Sequence, residues 1–182
     1  MENKESVTST INKAKDISIP SKKRVLIAGI GNMFMKDDGF GGAVVKELLQ
    51  NKFPDGVEIK DFGTGSLKLA YDLMRGYDGL ILLDASRRGD SPGTLYRIEP
   101  REDDISPDLE QGGPIDPHGA DPVTVLRFVK SIGSWPAKVI VVACEPEIVD
   151  EFEIGLSESV RASINDAIEM VKEIVYEIYS TK

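Results

Sequence analysis

Asp38, Asp84 and His118 carry the side-chain chemistry most suited to a reactive centre in this chain. Asp38 sits in "GIGNMFMKDDGFGG" (29–42), Asp84 closes "GLILLDA" (79–85), and His118, the sole histidine, lies in "DPHGAD" (116–121). Two carboxylates and one imidazole make a mixed O/O/N donor set. Such a set suits a borderline divalent ion such as zinc, nickel, iron or manganese, and leaves coordination positions open for water or substrate. Each residue also has a simpler role. An aspartate beside a chain turn commonly accepts from nearby backbone N–H groups, which would account for Asp84. An acid at a helix start gains ~0.3–1 kcal/mol from the helix dipole, and either Asp37 or Asp38 could supply it. One acid suffices for that, so the second is free for other work. A lone histidine in a Gly/Pro-rich loop is ordinarily a surface residue. The three gain meaning only if the fold brings them together.

The surrounding segments are of a kind that would do so. "RVLIAG" (24–29) is a short apolar run ended by glycine, as in a buried strand. From Asp38 onward, Phe40, Val44, Val45, Leu48 and Leu49 recur at helical spacing until "FPDG" interrupts. "VEIKD" (57–61) alternates as a strand does. "GTGS" is a turn, with Ser66 the expected cap of a helix through "LKLAYDLM". "GLILLDA" reads as a buried strand and "GTLYRIE" (93–99) as a more exposed one. The link between these two is too short for a helical crossover, so they cannot be parallel neighbours. A loop rich in Pro, Gly and Asp runs from about 100 to 120, longer than structureless loops usually are, which marks it as functional or mobile. Asp121-Pro122 resembles an N-cap followed by proline at the first helical position, and "AKVIVVAC" (137–144) is the last strand. Ser157 is expected to open one long amphipathic helix, with Val160, Ile164, Ala167, Ile168, Val171, Ile174, Val175 and Ile178 along one face.

This alternation predicts an α/β fold: a three-layer αβα arrangement around about five strands, mostly parallel, with one antiparallel strand and helices on both faces. Residues 1–22 are polar and read as a flexible extension; 23–182 are expected to form a single domain. In open parallel sheets, sites form outside the carboxyl ends of the strands. That rule selects Asn32, Asp37 and Asp38 after the first strand, Asp61 after the second, Asp84 at the end of the third, and Cys144 with Glu145 after the last; His118 lies in the long loop just before a helix.

Composition narrows the partners. With 22 basic and 31 acidic residues the formal charge is −9, which disfavours nucleic acid and anionic lipid as partners. No apolar run approaches the ~20 residues of a membrane helix, so no membrane association is expected. The one cysteine, Cys144, rules out a disulfide within the chain and suits a reducing, cytoplasmic setting. A dinucleotide site needs G-x-G-x-x-G, but Phe34 occupies the last glycine position and two acids would repel pyrophosphate; only Asp61, ending the second strand, favours it. A phosphoacceptor domain would want lysine after the last strand, where "ACEPE" places acids. A pepsin-like protease would need two Asp-Thr/Ser-Gly turns, and "DFGTG" is not one. A Cys144–His118 dyad is disfavoured because Glu145 and Glu147 would raise the thiol pKa.

The motifs from 24 to about 178 resemble those of the hydrogenase maturation proteases, endopeptidases that trim [NiFe]-hydrogenase large subunits. "GIGNMFMKDDGFGG" resembles the first motif and "IKDFGTGSLKLA" the second. "LILLDAS" with "PGTLYRIEP" resembles the central strands, "DPHGADPVTVLRF" the histidine loop, and "CEPE" with "IGLSESV" the closing segment. The resemblance implies an aspartic-type endopeptidase that removes the C-terminal extension of a nickel-loaded large-subunit precursor. It also implies nickel, carried by the substrate or bound at the site, with Asp38, Asp84 and His118 as ligands and no nucleotide cofactor. Apart from the precursor, no obligate partner is expected. Asp38 is the candidate catalytic base. Many relatives carry Glu at this position; the shorter Asp would hold the metal closer to the turn. Two other functions stay open on the sequence: a metal-sensing chaperone without hydrolysis, and a Rossmann-like nucleotide-binding module.

Overall fold

A computed structural model describes residues 23–106 and 122–181. Its centre is a five-stranded sheet of β1 (Val25–Ile30), β2 (Val57–Gly63), β3 (Gly79–Ala85), β4 (Leu95–Ile98) and β5 (Lys138–Cys144), ordered β2-β1-β3-β5-β4. Four strands are parallel and β4 runs antiparallel to β5, with Leu95 opposite Cys144. The apolar runs are buried because the sheet is covered on both faces. β1 is buried along its whole length, and β3 up to its last residue.

Alternate side chains of these strands feed two cores. Val25, Ile27, Ile81 and Leu83 pack against α1 (Phe40–Leu48) and α5 (Ile164–Ser180). Leu26, Ala28, Leu80 and Leu82 pack on the other face against α2 (Ser66–Leu73) and α3 (Pro122–Ser131). The three-layer αβα arrangement is therefore the one the alternation predicts. The chain leaves β1 through α1 toward one edge, then returns across β1 through α2 to β3. That reversal makes a topological switch point between β1 and β3, where a crevice opens at the carboxyl ends of the strands.

Some boundaries differ from expectation. Ser66 is the first residue of α2 and Gly65 stands at its cap position, so Ser66 is not the cap. Ser157 does cap a helix, accepting from the Val160 N–H at 3.4 Å. The single long helix expected there is broken, however, into α4 (Glu158–Ala162) and α5, with Ser163 between them. The Ser163 hydroxyl donates to the Val160 carbonyl at 2.8 Å, a local bond of the kind that competes with helix continuation. Pro122 opens α3 as the sequence suggests. His118 and Asp121, and residues 1–22, lie outside the described residues. No helix among the described residues is long and apolar enough to cross a membrane.

Candidate active site at the β1/β3 switch point

The chain turns sharply as it leaves β1. Gly31 adopts φ +113°, a left-handed conformation that L side chains avoid. A Cβ there would lie 1.9 Å from the Asp38 carbonyl oxygen and 3.6 Å from Asp84 Oδ1. Gly31 is thus the point where the main chain of Asp38 and the carboxylate of Asp84 come close. Gly41 serves the same packing from the helix: its Cβ would lie 2.3 Å from the Leu83 carbonyl and 2.4 Å from that of Ile30. α1 can therefore press directly onto β1 and β3, which brings the Asp38 turn against the end of β3.

Asp38 lies in a short 3-10 turn, Lys36–Gly39, that leads into α1. Its Oδ2 accepts from the Asn32 N–H at 2.6 Å, while Asn32 Oδ1 accepts from the Phe34 N–H at 3.0 Å. The side chain is half-buried. Burial raises its carboxyl above the ordinary aspartate value, and the Asn32 bond only partly opposes this. Asp84 is buried at 3% exposure, one residue beyond the Gly29–Leu83 register pair. Two carboxylates at a partly dry rim, one of them held by a single backbone donor, suit a cation far better than an anion.

Asp37, next in sequence, does something quite different. It is completely buried, and its carboxylate accepts from three backbone N–H groups: Glu147 and Ile148 at 2.9 Å each, and Ser157 at 2.6 Å. Its own N–H donates to the Ile148 carbonyl at 2.9 Å. Neither Asp37 nor Asp38 caps α1, whose cap position is Gly39 without a side-chain bond. Asp37 instead ties the segment following β5 to the turn.

That segment crosses the turn as a strap. Met35 and Glu153 form an isolated parallel bridge. The Lys36 N–H donates to the Glu153 carbonyl at 2.8 Å, and Lys36 Nζ pairs with the Glu153 carboxylate at 2.6 Å. Lys36 has φ +50°, a strained conformation for a side chain with a Cβ, and these bonds hold it there. The Phe34 and Phe152 rings stack beside it at 6.0 Å.

Other residues singled out in the sequence take structural roles. Glu145 accepts from the Arg88 and Gly89 N–H groups and from the Tyr96 hydroxyl at 2.7 Å; the Tyr96 bond leads the effects that lower its pKa. Cys144 is buried, and burial pushes its thiol up, with Asp37 and Glu145 adding to the effect. This is an inert thiol rather than a nucleophile. Asp61 accepts from the Gly63 N–H at 2.9 Å and faces Gly42 of α1.

Of the three sequence-selected residues, the Asp38 turn and the Asp84 carboxylate lie on either side of Gly31, and His118 lies outside the described residues. Among the described residues no group of three His, Cys, Asp or Glu side chains is placed to hold a metal ion. The strap was not legible beforehand: 145–157 has no helical or strand periodicity, and its one signal was the paired acid Asp37-Asp38, of which one had to find a partner elsewhere.

Comparison with known proteins agrees with this geometry. The HycI hydrogenase maturation protease family model matches residues 43–174. The chain belongs to the hydrogenase maturation protease family. It is 35% identical over 150 residues to hydrogenase 2 maturation protease of Escherichia coli, covering 81% of this chain and 88% of that one. It is 33% identical over 156 residues to a putative hydrogenase maturation protease of Methanocaldococcus jannaschii, covering 82% and 95%. Among solved structures, the hydrogenase maturating endopeptidase HybD from E. coli matches with a TM-score of 0.70 at 35% identity, over 85% of this chain and 93% of that one. Membership in this protease family displaces the nucleotide-binding and phosphoacceptor readings of the same turn.

Proposed function

We propose that this chain is the endopeptidase that removes the C-terminal extension from a nickel-loaded [NiFe]-hydrogenase large-subunit precursor, in the cytoplasm. The observation that supports the reading is the closeness of the Asp38 turn to the Asp84 carboxylate beside Gly31, at the switch point of a fold shared with maturation endopeptidases. Residues 23–182 form the protease unit, and 1–22 are an extension to it. Nickel belongs to the substrate in this reading, and Asp38, Asp84 and His118 are its ligands on the protease. The donor chemistry fits: two hard oxygen donors and one imidazole accept a borderline divalent ion. Nickel then reports that the precursor is loaded. In this reading Asp38 is the general base that takes a proton from the attacking water, and nickel serves for docking. No nucleotide takes part.

Incubating the protein with nickel-loaded precursor tests this. The expected result is a precursor mass reduced by one C-terminal peptide. Stable binding with unchanged mass would make the protein a non-hydrolytic chaperone, and a melting shift with NAD or FAD would make it a nucleotide-binding module; either would overturn the reading.

A further inference from the structure

Beside the Asp38 turn runs a groove of about 470 Å³ that neither acid explains. Its floor is the outward side of α1 and the turn before it, where Gly39, Gly42 and Ala43 leave space. Its walls carry Met33, Leu49 and Ile154, which are 57%, 59% and 65% exposed. Large apolar side chains gathered around one depression mark a binding surface.

We propose that this groove is the subsite for an extended, uncharged, apolar stretch of the precursor's tail flanking the bond that is cut. The proposal rests on the endopeptidase reading above and adds to it where the tail lies and what chemistry it has. Three observations select this occupant. The groove adjoins the Asp38 turn, since Lys36 and Gly39 of that turn, with Met33 just ahead of it, line it. Its length suits a short peptide: from Gly39 to Leu49 the helix advances ~15 Å, the span of about four or five extended residues. Its volume lies in the range of pockets that take small ligands or a few side chains, whereas a stable dimer face needs ~800 Å² from each partner. Charge agrees as well. The chain carries −9 overall, yet in the groove Lys36 is neutralised by Glu153, and Lys46 and Asp61 oppose each other in sign. A neutral segment is accommodated without an uncompensated charge, and an acidic one gains nothing over it.

The test is steady-state processing of the nickel-loaded [NiFe]-hydrogenase large-subunit precursor of the same organism, using the full chain. Leu49→Glu and Ile154→Glu should each raise KM about tenfold with kcat within about twofold, the signature of lost binding made equally in ground and transition states. Ala43→Leu, which fills the floor, should do the same. A precursor whose apolar residues within five positions of the cut are changed to Ser should show a similar KM rise with the unaltered protease, and little more with Leu49→Glu. That variant leaves the protease fold untouched. If the unaltered protease cleaves normally while these changes leave KM within twofold, the proposal is overturned. It is also overturned if sedimentation reveals a dimer that Leu49→Glu dissolves without changing KM, because a second copy would then own the groove. Failure of the unaltered protease to cleave at all is a different result and rejects the endopeptidase reading itself.

Discussion

The two ends of the sheet treat acidic residues in opposite ways. At the amino end, Glu58 on β2 accepts from Arg24 at 2.8 Å and lies 2.9 Å from Lys60 and 3.3 Å from Arg75. Asp72 on α2 pairs with Lys60 at 2.5 Å and Arg75 at 3.0 Å, and the Arg24 guanidinium lies 4.4 Å from the centre of the Tyr77 ring. Glu58 and Asp72 both face cations, and Arg24, followed by Lys60, holds Glu58 down to about 2. At the carboxyl end, Asp37 is satisfied by backbone alone, and Asp38 has one backbone donor and a carboxyl raised by burial. The amino end uses charge to fasten elements. At the carboxyl end the aspartates of the turn lean on backbone N–H groups instead, and at Asp38 burial works against the charged form.

Asp37→Ala is the strongest challenge to that contrast. It orphans three N–H donors, those of Glu147, Ile148 and Ser157, against a buried site. Unmade bonds to a charged group cost ~1.5–3 kcal/mol each, so partial relaxation of the strap still leaves a loss of about 4 kcal/mol in denaturant unfolding. A loss under ~1 kcal/mol would show that the strap is not fastened by Asp37. Next in size come Asp38→Ala and Asp84→Ala. Each should slow precursor processing at least ~100-fold, about 2.7 kcal/mol in barrier, while melting stays near that of the unaltered protein. If either instead unfolds the protein as Asp37→Ala does, the carboxyl end is structural throughout and the contrast collapses.

How far the sequence revealed these regions depended on periodicity. β3 was legible to the residue, because a fully buried strand bounded by Asp78 and Ser86 leaves few alternatives. The antiparallel β4 followed from the shortness of its link to β3. That Asp37, Asp38 and Asp84 lie at the carboxyl ends of β1 and β3 was legible because the switch-point rule needs only strand order. The division of labour between Asp37 and Asp38 was not: adjacent identical residues differ only in which way the turn faces them, and that is set by a partner 110–120 positions away. The break at Ser163 was hidden for a related reason. The apolar face of Val160 through Ile178 continues in phase across it, and only the Ser163 hydroxyl, which also lies 3.4 Å from Cys144 Sγ, shows why the backbone departs from the helix.

Glu58→Gln probes the amino end with a smaller effect. A folded pKa of about 2 against an ordinary 4.5 means that the unfolded state binds more protons between those values. The charged Glu58 therefore contributes stability above pH 4.5 that is lost as pH falls toward 2. Because its side chain is 30% accessible and salt screens the pairs, the contribution is about 1 kcal/mol rather than the full value of the shift. Unfolding of Glu58→Gln should be easier than that of the unaltered protein by that amount at pH 7. The difference should shrink in high salt and disappear near pH 2.

Asp38→Asn should have the opposite sign and the smallest size. The amide keeps an oxygen for the Asn32 N–H and removes a half-buried charge. A carboxyl whose folded pKa is raised makes the folded state bind more protons than the unfolded one, so the unaltered protein loses stability as pH rises through that raised value. In metal-free buffer at pH 7, Asp38→Asn should therefore be more stable, by less than about 1 kcal/mol given the partial exposure, and the gain should fade below pH ~3.8. Processing should meanwhile be lost. A variant that melts higher yet no longer cleaves would show that Asp38 is retained against the interest of the fold; one that melts lower would place Asp38 beside Asp37 as a structural carboxylate.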